Sequence, residues 1–560
     1  MASDSLPARS FSSTFAPTPA ELVDIQQLAR SGSLPVDPAR IRAVISGAPA
    51  DLERYDAEIE NLKVAERNLQ RKLSRRLTLE RETLASYAAF CRSVLSPAQK
   101  LPNELLGEIF DLCLRKKINP GASTSRLEDQ MNLLARRDLQ ELAQVCFRWY
   151  CVAIGTPQLW SMIIIYSGVW DRSFFHAEIL MKLLESFLIR GKDHPLTIEM
   201  TISDTMRCDQ VLALLSQHAQ RWREVDFLAS RGQNTTFHRI KNLKLDRLVS
   251  LSLDVAWEQR VKAFRKAPVL TELSFKRDFE SLPRLPWSQI KTVSYDSLGA
   301  GDPVHSALSL LRAATNLTTC RLYLYLQGYD LDDESWGIHT TSRTQKLYIQ
   351  LMTSTGSDPI LGHFLDSLTL PHLNVLDIHP NNGSSFPLLW STDAFLGLAD
   401  RSGFHSSLTY LALHVQVKDV DLLRCLSAVP LLEKLLIRDC TPSAVTDTFL
   451  RGLQLDATTT TTPDSAPLVP NLAFFSLRCA LSFTDPVYFD LLASRTSQAR
   501  DFQSDLWWYA TRRREVSAKL VENIAKLVAK MEGRFVFKSG AYHEDRPKRF
   551  RAILEGERML

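Results

Sequence analysis

A short apolar unit recurs through the central and carboxyl-terminal parts of the chain and constrains the fold more than any other feature. In most copies, two apolar residues three positions apart are followed by a third one two positions later, as in Leu248, Leu251 and Leu253. Ten copies begin at residues 222, 248, 270, 290, 317, 344, 373, 408, 432 and 472. Most neighbours lie between twenty and thirty residues apart, a period typical of leucine-rich repeats.

Each unit predicts one strand whose alternate side chains turn inward, followed by a helix or turn that covers the next layer. A single unit cannot bury its own apolar face, so neighbouring units must stack to form a continuous core. Prolines precede several of the strands, where they end the previous helix without removing a ladder hydrogen bond: Pro268, Pro371, Pro430 and Pro470. We therefore predict an α/β fold, with an irregular solenoid over residues 167–500 that has a curved parallel sheet and helices outside.

The sequence does not determine which side chains lie on the exposed face of this sheet, because a slip of one residue in register exchanges the two faces of a strand. The residues that would bind a partner on the concave face are therefore not predicted.

A different pattern fills residues 97–166. Pro102 is suited to a helix start and Glu104 to a first helical turn, and the apolar residues that follow recur on one helical face. A second amphipathic helix is predicted from the spacing of Leu142, Val145, Cys146 and Trp149. The segment ends at residues 156–160, the last of which, Trp160, is large and apolar.

This segment resembles an F-box, the short helical module that docks onto the Skp adaptor of cullin-type ubiquitin ligases. This chain departs from the family pattern at an insertion, roughly residues 115–138, which includes a loop-like stretch over 119–123. A helical hairpin that only caps the solenoid is the alternative interpretation. The residues that the resemblance implies for adaptor binding are Leu101, Pro102, Leu105, Leu106, Ile109, Phe110, Leu142, Val145, Trp149, Leu159 and Trp160.

The repeats resemble the irregular leucine-rich repeats that follow the F-box in a large class of fungal proteins. The resemblance implies a substrate-recognition adaptor of an SCF-type ubiquitin ligase, with the Skp adaptor, the cullin complex and an unidentified protein substrate as partners. The covalent chemistry would belong to other subunits, and this chain would contribute proximity and orientation. The alternative is a repeat scaffold for protein binding that has no ligase function.

Residues 1–45 are rich in Ser, Pro and Ala and are predicted to include disordered sections. Residues 46–96 predict a long charged helix with an apolar stripe: Tyr55, Ile59, Leu62, Leu69, Leu73, Leu77, Leu84 and Tyr87. Such a stripe forms a coiled-coil seam, although Glu66 interrupts it. Two interpretations remain open, namely self-association as a homodimer and a helix that folds back on the F-box. We favour the second because clean heptads persist for only about three repeats.

Residues 501–560 predict a capping helix with a basic start and a basic tail. Val516, Leu520, Ile524, Leu527 and Met531 outline its apolar face. A terminal repeat needs such a cover over its exposed apolar side.

Composition limits the class of function. The net charge of +4 is too small for 560 residues to indicate nucleic-acid binding. Nine scattered cysteines form no C-x-x-C pair, which indicates reduced thiols and a cytoplasmic or nuclear location. We see no secretory signal at the start of the chain, and no apolar run is long enough to span a bilayer, so no membrane association is expected.

The sequence contains no phosphate-binding loop, no zinc-protease motif and no nucleophile elbow. We therefore expect no catalytic residues, no cofactor and no metal, and predict that the chain is not an enzyme. Cys146 is interpreted as a packed, inert thiol on the apolar face of the second F-box helix.

Overall fold

The computed structural model describes residue 18 and residues 38–94, 100–116, 137–165, 174–202, 206–229, 243–254, 263–276, 278–282, 284–298, 300–326, 339–352, 360–380, 388–438, 445–455, 467–497, 501–509, 516–531 and 533–542. The chain divides into two compact units, residues 1–105 and 106–560.

The first unit contains one long helix, α1, over Pro38–Val94. It begins earlier than the predicted boundary at residue 46, so part of the segment predicted to include disorder is helical. The rest of that segment lies outside the described residues, apart from residue 18. Charged side chains form ion pairs along the helix, including Lys63 and Arg67 with Glu60 at 3.4 and 3.2 Å.

Short helices come next in the chain and form a helical module. These helices are α2 (Asn103–Lys116), α3 (Arg137–Gln144) and α4 (Phe147–Gly155), followed by a 3-10 turn at Pro157–Trp160. The predicted insertion lies almost entirely outside the described residues.

The second unit is built on a parallel sheet, of which the described residues form fourteen strands. Its strands are β1 (Met162–Ile165), β2 (Leu196–Ile202), β3 (Trp222–Ala229), β4 (Ser250–Asp254), β5 (Glu272–Lys276), β6 (Thr292–Asp296), β7 (Thr319–Tyr325), β9 (Lys346–Met352), β11 (Val375–Pro380), β13 (Tyr410–Leu413), β15 (Lys434–Arg438), β16 (Phe474–Cys479), β17 (Phe502–Tyr509) and β18 (Phe535–Tyr542). Two short pairs lie apart from this sheet: β8 (Thr340–Thr341) with β10 (Leu368–Thr369), and β12 (Leu388–Leu389) with β14 (Val415–Gln416).

Helices or turns connect successive strands of the sheet, and the strand order follows the chain order. The described helices are α5 (Phe174–Arg190), α6 (Met206–Gln217), α7 (Pro303–Ala313), α8 (Ile360–Asp366), α9 (Thr392–Ser402), α10 (Asp419–Ser427), α11 (Asp447–Gly452), α12 (Asp485–Thr496) and α13 (Ala518–Lys530).

Alternation within each strand explains the core. In β4, Leu251 and Leu253 are buried while Ser250, Ser252 and Asp254 are half-buried, and the same pattern recurs in the neighbouring strands. The buried side chains pair across the register and pack with residues of the helices in one continuous cluster. Because the side-chain period of a strand is two, this pattern assigns the apolar residues to one face and the polar residues to the other.

Buried arginines link neighbouring repeats of the sheet through hydrogen bonds. Arg495 in α12 donates hydrogen bonds to the carbonyl oxygens of Leu453, Val469 and Leu468 at 2.8, 2.7 and 2.9 Å. Burial lowers the pKa of Arg495 to about 10. Arg221 makes two bonds of the same kind to carbonyls near the end of α5. These guanidinium groups satisfy backbone acceptors that would otherwise be buried without a partner.

The predicted α/β class with a parallel sheet is confirmed, and each of the ten copies of the apolar unit coincides with a strand. The prediction for residues 501–560 is wrong in part. Two further strands, β17 and β18, flank the predicted helix α13, so the sheet continues well beyond residue 500. The predicted basic tail lies outside the described residues.

None of the helices in the described ranges has the length and apolar composition that crossing a membrane requires.

Candidate functional site

The helical module contains a break that the sequence pattern did not predict. Helix α3 ends at Gln144 and α4 begins at Phe147, with Cys146 between them in an extended conformation. The sulfur of Cys146 accepts a hydrogen bond from the backbone N–H of Trp149 at 3.5 Å. The prediction of one continuous helix was therefore wrong. Cys146 is the half-buried N-cap of α4, where its side chain satisfies an otherwise unpaired helical N–H.

The module has a small core of its own, separate from the core of the sheet. The rings of Phe110 and Trp149 lie with their centroids 4.9 Å apart, and those of Trp160 and Phe187 lie 5.0 Å apart. The indole N–H of Trp160 donates to the carbonyl of Ala153 at 2.8 Å. The buried members are Leu106, Phe110, Leu114, Leu139, Val152, Ala153, Leu159, Trp160 and Phe187.

Four residues predicted to bind a partner belong to this core, and their role in binding stays a prediction. Leu106, Phe110, Leu159 and Trp160 are buried within the second unit, and Phe110 is only 1% exposed. A side chain enclosed in this way stabilises the packing of the module. Others in the predicted set are half-buried: Leu101, Leu142 and Trp149.

The remaining predicted residues are exposed, and the structure adds three more apolar side chains to them. Ile109 on α2 is 41% exposed and Val145, between α3 and α4, is 60% exposed. Leu112, Phe147 and Tyr150 are also exposed, and the last two rings stack with centroids 6.5 Å apart. We call these five residues the helical-module surface.

Pro102 and Leu105, which precede that surface in the chain, are exposed too. Phe147 and Tyr150 were missed because a continuous helix would have placed them on a different face. In the sequence, the break is indicated only weakly, by Cys146 and by a change after it in the spacing of the apolar residues. Exposed apolar side chains that adjoin one another, as the rings of Phe147 and Tyr150 do, are typical of protein-binding sites.

A second candidate surface lies on the sheet, on the face that carries the half-buried polar residues. We call it the polar sheet face. Across the register, one run of side chains passes from strand to strand through Lys276, Asp296, Tyr323, Gln350 and His379, and a second through Arg438, Arg478 and Trp507. Asp254 bonds Lys276 at the start of the first run, and His414, directly after β13, lies near both His379 and Arg438. The structure thereby fixes the register that the sequence left open.

The end of this face near β3 to β6 is mainly acidic. Lys276 bonds Asp254 at 2.6 Å, and although burial opposes it, the bond and the charges of Asp254 and Asp296 raise the pKa of Lys276. Burial raises the pKa of Asp296, and also that of Asp226, which receives a hydrogen bond from Ser252. One carboxylate oxygen of Asp226 is buried without a hydrogen-bond partner among the described residues. These carboxylates are crowded and only partly neutralised.

The end near β11 to β16 is mainly basic. Burial, and then the positive charges of Arg438, His379 and Arg478, lower the pKa of His414 to about 3. Asp377 lies in the same region, and its pKa is raised by burial, with His379 and Arg438 opposing that shift. The two arginines are direct neighbours in the register. Two adjacent cations beside a neutral imidazole can bind a negatively charged group of a ligand.

Within the described ranges, no three or more His, Cys, Asp and Glu side chains are grouped so that they could hold a metal ion. The free thiols of the sheet are buried, and burial raises the pKa of Cys320 to about 12. The described residues thus present an apolar helical surface and a charged sheet face.

No protein-family model matches this chain, and no curated protein is significantly similar to it. The assignment of a function therefore depends on the geometry of these two surfaces.

Proposed function

We propose that this protein is a substrate-recognition adaptor of an SCF-type ubiquitin ligase. Its F-box-like helical module would dock onto the Skp adaptor, and its leucine-rich-repeat-like sheet would hold the protein substrate. The chain itself would carry out no covalent step, since proximity and orientation would be its contribution to the reaction rate.

The observation that carries the proposal is the exposed helical-module surface. Ile109, Val145 and Phe147 leave apolar side chains in solvent, although the module already has a complete core beneath them. Exposing such groups costs free energy, on the order of 1.5–3 kcal/mol for a large apolar side chain. A partner with an apolar groove would remove that cost, as in helix-in-groove recognition.

The polar sheet face is suited to the substrate in this proposal. Its acidic end, around Asp254 and Asp296, complements basic residues of a substrate, and its basic end, at Arg438 and Arg478, complements acidic ones. Opposite charges at the two ends would fix the direction in which an extended segment binds, because reversing it would bring like charges together. We therefore expect a substrate segment with a basic part and an acidic part.

The test is co-purification of the full-length chain with a Skp adaptor. Replacing Ile109→Asp together with Val145→Asp puts two charges on the helical-module surface without touching its core. We expect adaptor binding to fall at least tenfold, because buried unpaired charges at an interface are strongly unfavourable.

The matched control is Val420→Asp, which makes the same change at an exposed site on α10. This control should bind the adaptor as well as the unmodified chain does. The proposal is refuted if the unmodified chain does not bind a Skp adaptor, or if the double variant binds it undiminished. In either case a repeat scaffold without ligase function would be the better description.

A further inference from the structure

Helix α1 exposes its apolar stripe to solvent along several turns. Leu52, Ile59, Leu62, Leu69 and Leu73 are all exposed, with Leu69 at 71%. Together with the half-buried Tyr55 and the charged Glu66, they alternate at steps of three and four residues over three heptads. This spacing is that of a coiled-coil seam. The folding-back of α1 on the helical module, favoured from the sequence, stays a prediction.

Charge is distributed unevenly along the same turns. Residues 51–60 carry five acidic side chains and one arginine, whereas residues 67–76 carry five basic side chains and no acidic one. Intrahelical ion pairs involve Lys63, Arg67 and Arg76. Within the described part of the chain, no acidic side chain pairs with Arg71, Lys72 or Arg75. The basic stretch thus keeps much of its charge available for another surface.

We propose that two copies of this chain associate through α1 as an antiparallel coiled coil centred near residue 64. In that register Ile59 faces Leu69 of the second copy and Tyr55 faces Leu73, so the inner layers are apolar on both sides. At the two ends of the seam, Leu52 lies against Arg76. The acidic stretch 51–60 of each copy lies against the basic stretch of the other, and Glu58 comes beside Lys72. The shared seam, over residues 52–76, is about 37 Å long at 1.5 Å per residue.

A parallel arrangement of the same helices is unfavourable for two reasons. It would place the basic stretch of one copy against the basic stretch of the other. It would also bring Glu66 against Glu66 inside the seam. In the antiparallel register Glu66 meets Leu62, with Lys63 of the second copy close by. A single polar residue in a seam typically selects register at some cost in stability.

This inference does not depend on the adaptor proposal, since it uses only residues of the first unit. The experiment is sedimentation velocity of the full-length protein over a range of concentrations. We expect a dimer that dissociates when Leu69→Asp and Leu73→Asp are introduced together. Val64→Asp is the matched control, because it makes the same change on the opposite face of α1, where Val64 is exposed.

Charge reversal tests the orientation. Lys72→Glu should weaken the dimer at least tenfold, and adding Glu58→Lys to that variant should restore it, because an antiparallel seam places these positions side by side. In a parallel seam the two positions are far apart and no rescue would occur. Raising the salt concentration from about 0.05 to about 0.5 M should weaken an antiparallel dimer, whereas it would strengthen a parallel one by screening like charges.

Helicity and the thermal unfolding of the sheet, measured by circular dichroism, should be unchanged in every variant. A monomer at all concentrations overturns the inference, as does a dimer that survives Leu69→Asp with Leu73→Asp. Failure of the rescue, or a dimer that strengthens with salt, overturns the antiparallel arrangement.

Discussion

The sheet and helix α1 use the same kind of amphipathic pattern but complete it differently. In the sheet, each apolar row is covered by the next unit and by the helices, so that Leu376 on β11 is 0% exposed. On α1, the apolar row is regular over three heptads, yet its leucines remain in solvent. The sheet therefore satisfies its own pattern within one chain, whereas α1 presents a pattern that a second surface would satisfy.

The comparison shows what periodicity can and cannot reveal. The period of an apolar pattern predicts the secondary structure, because side chains repeat every 2 residues in a strand and about every 3.6 in a helix. It does not reveal whether the covering surface belongs to the same chain. For α1 the charge distribution supports the proposed second copy, because the acidic and basic stretches complement each other between copies that run in opposite directions.

The largest expected effect separates the two regions directly. Leu376→Ala removes a fully enclosed side chain from the sheet and should lower the free energy of unfolding by about 2–5 kcal/mol. Leu69→Ala removes a leucine of similar size from α1 and should leave the unfolding transition of the sheet within about 0.5 kcal/mol of the unmodified value. Chemical denaturation followed by tryptophan fluorescence measures both changes. Equal effects would contradict the distinction between the two regions.

A smaller loss of unfolding free energy is expected where hydrogen bonds link neighbouring repeats of the sheet. Arg495→Met keeps the volume of the side chain but leaves three buried carbonyl groups without their donor. We expect a loss of about 2 kcal/mol, since relief of the buried charge offsets part of the penalty. Arg451→Met, at an exposed position on the neighbouring helix α11, serves as control and should change the stability by less than about 0.5 kcal/mol. An equal loss in both variants would argue against the role of Arg495.

The smallest effect concerns pH. His414 is held neutral in the folded protein, because its pKa lies at about 3 compared with 6.5 for a free imidazole. Between pH 6.5 and about 3 the unfolded chain therefore binds one more proton than the folded protein, and stability falls as the pH decreases through this range, by up to about 1.4 kcal/mol per pH unit. His414→Gln should remove this contribution, which amounts to about 0.8 kcal/mol between pH 7.5 and pH 6, so denaturation curves at these two pH values should differ less for the variant. A pH dependence that is unchanged in the variant would show that His414 does not titrate in this way.

Much of the sheet could be predicted from the sequence because its signal is local and repeated. Leu251 and Leu253 illustrate this, since alternation alone indicates that both point inward. The carboxyl-terminal strands were missed because β17 and β18 are rich in aromatic and polar residues and lack the leucine pattern of the other units. Arg495 could not be predicted at all, since its three acceptors are backbone carbonyls far away in the sequence.

The helical module shows a different limit. The sequence identified the apolar residues but could not divide them into buried and exposed ones, because Leu105 and Leu106 are adjacent and equally apolar. Only the packing of α2 against α4 determines that Leu106 is enclosed while Ile109 is not. The break at Cys146 escaped prediction because cysteine is an uncommon N-cap and carries no strong signal.

The sequential strand order has a consequence for how such a protein changes over time. Seven strand-to-strand steps separate β4, which carries Asp254, from β15, which carries Arg438, or about 34 Å at 4.8 Å per step. Duplicating or deleting one unit between them would lengthen or shorten this span by a single step and leave both ends intact. The reach between the two charged ends can therefore evolve in regular increments, independently of the chemistry at either end.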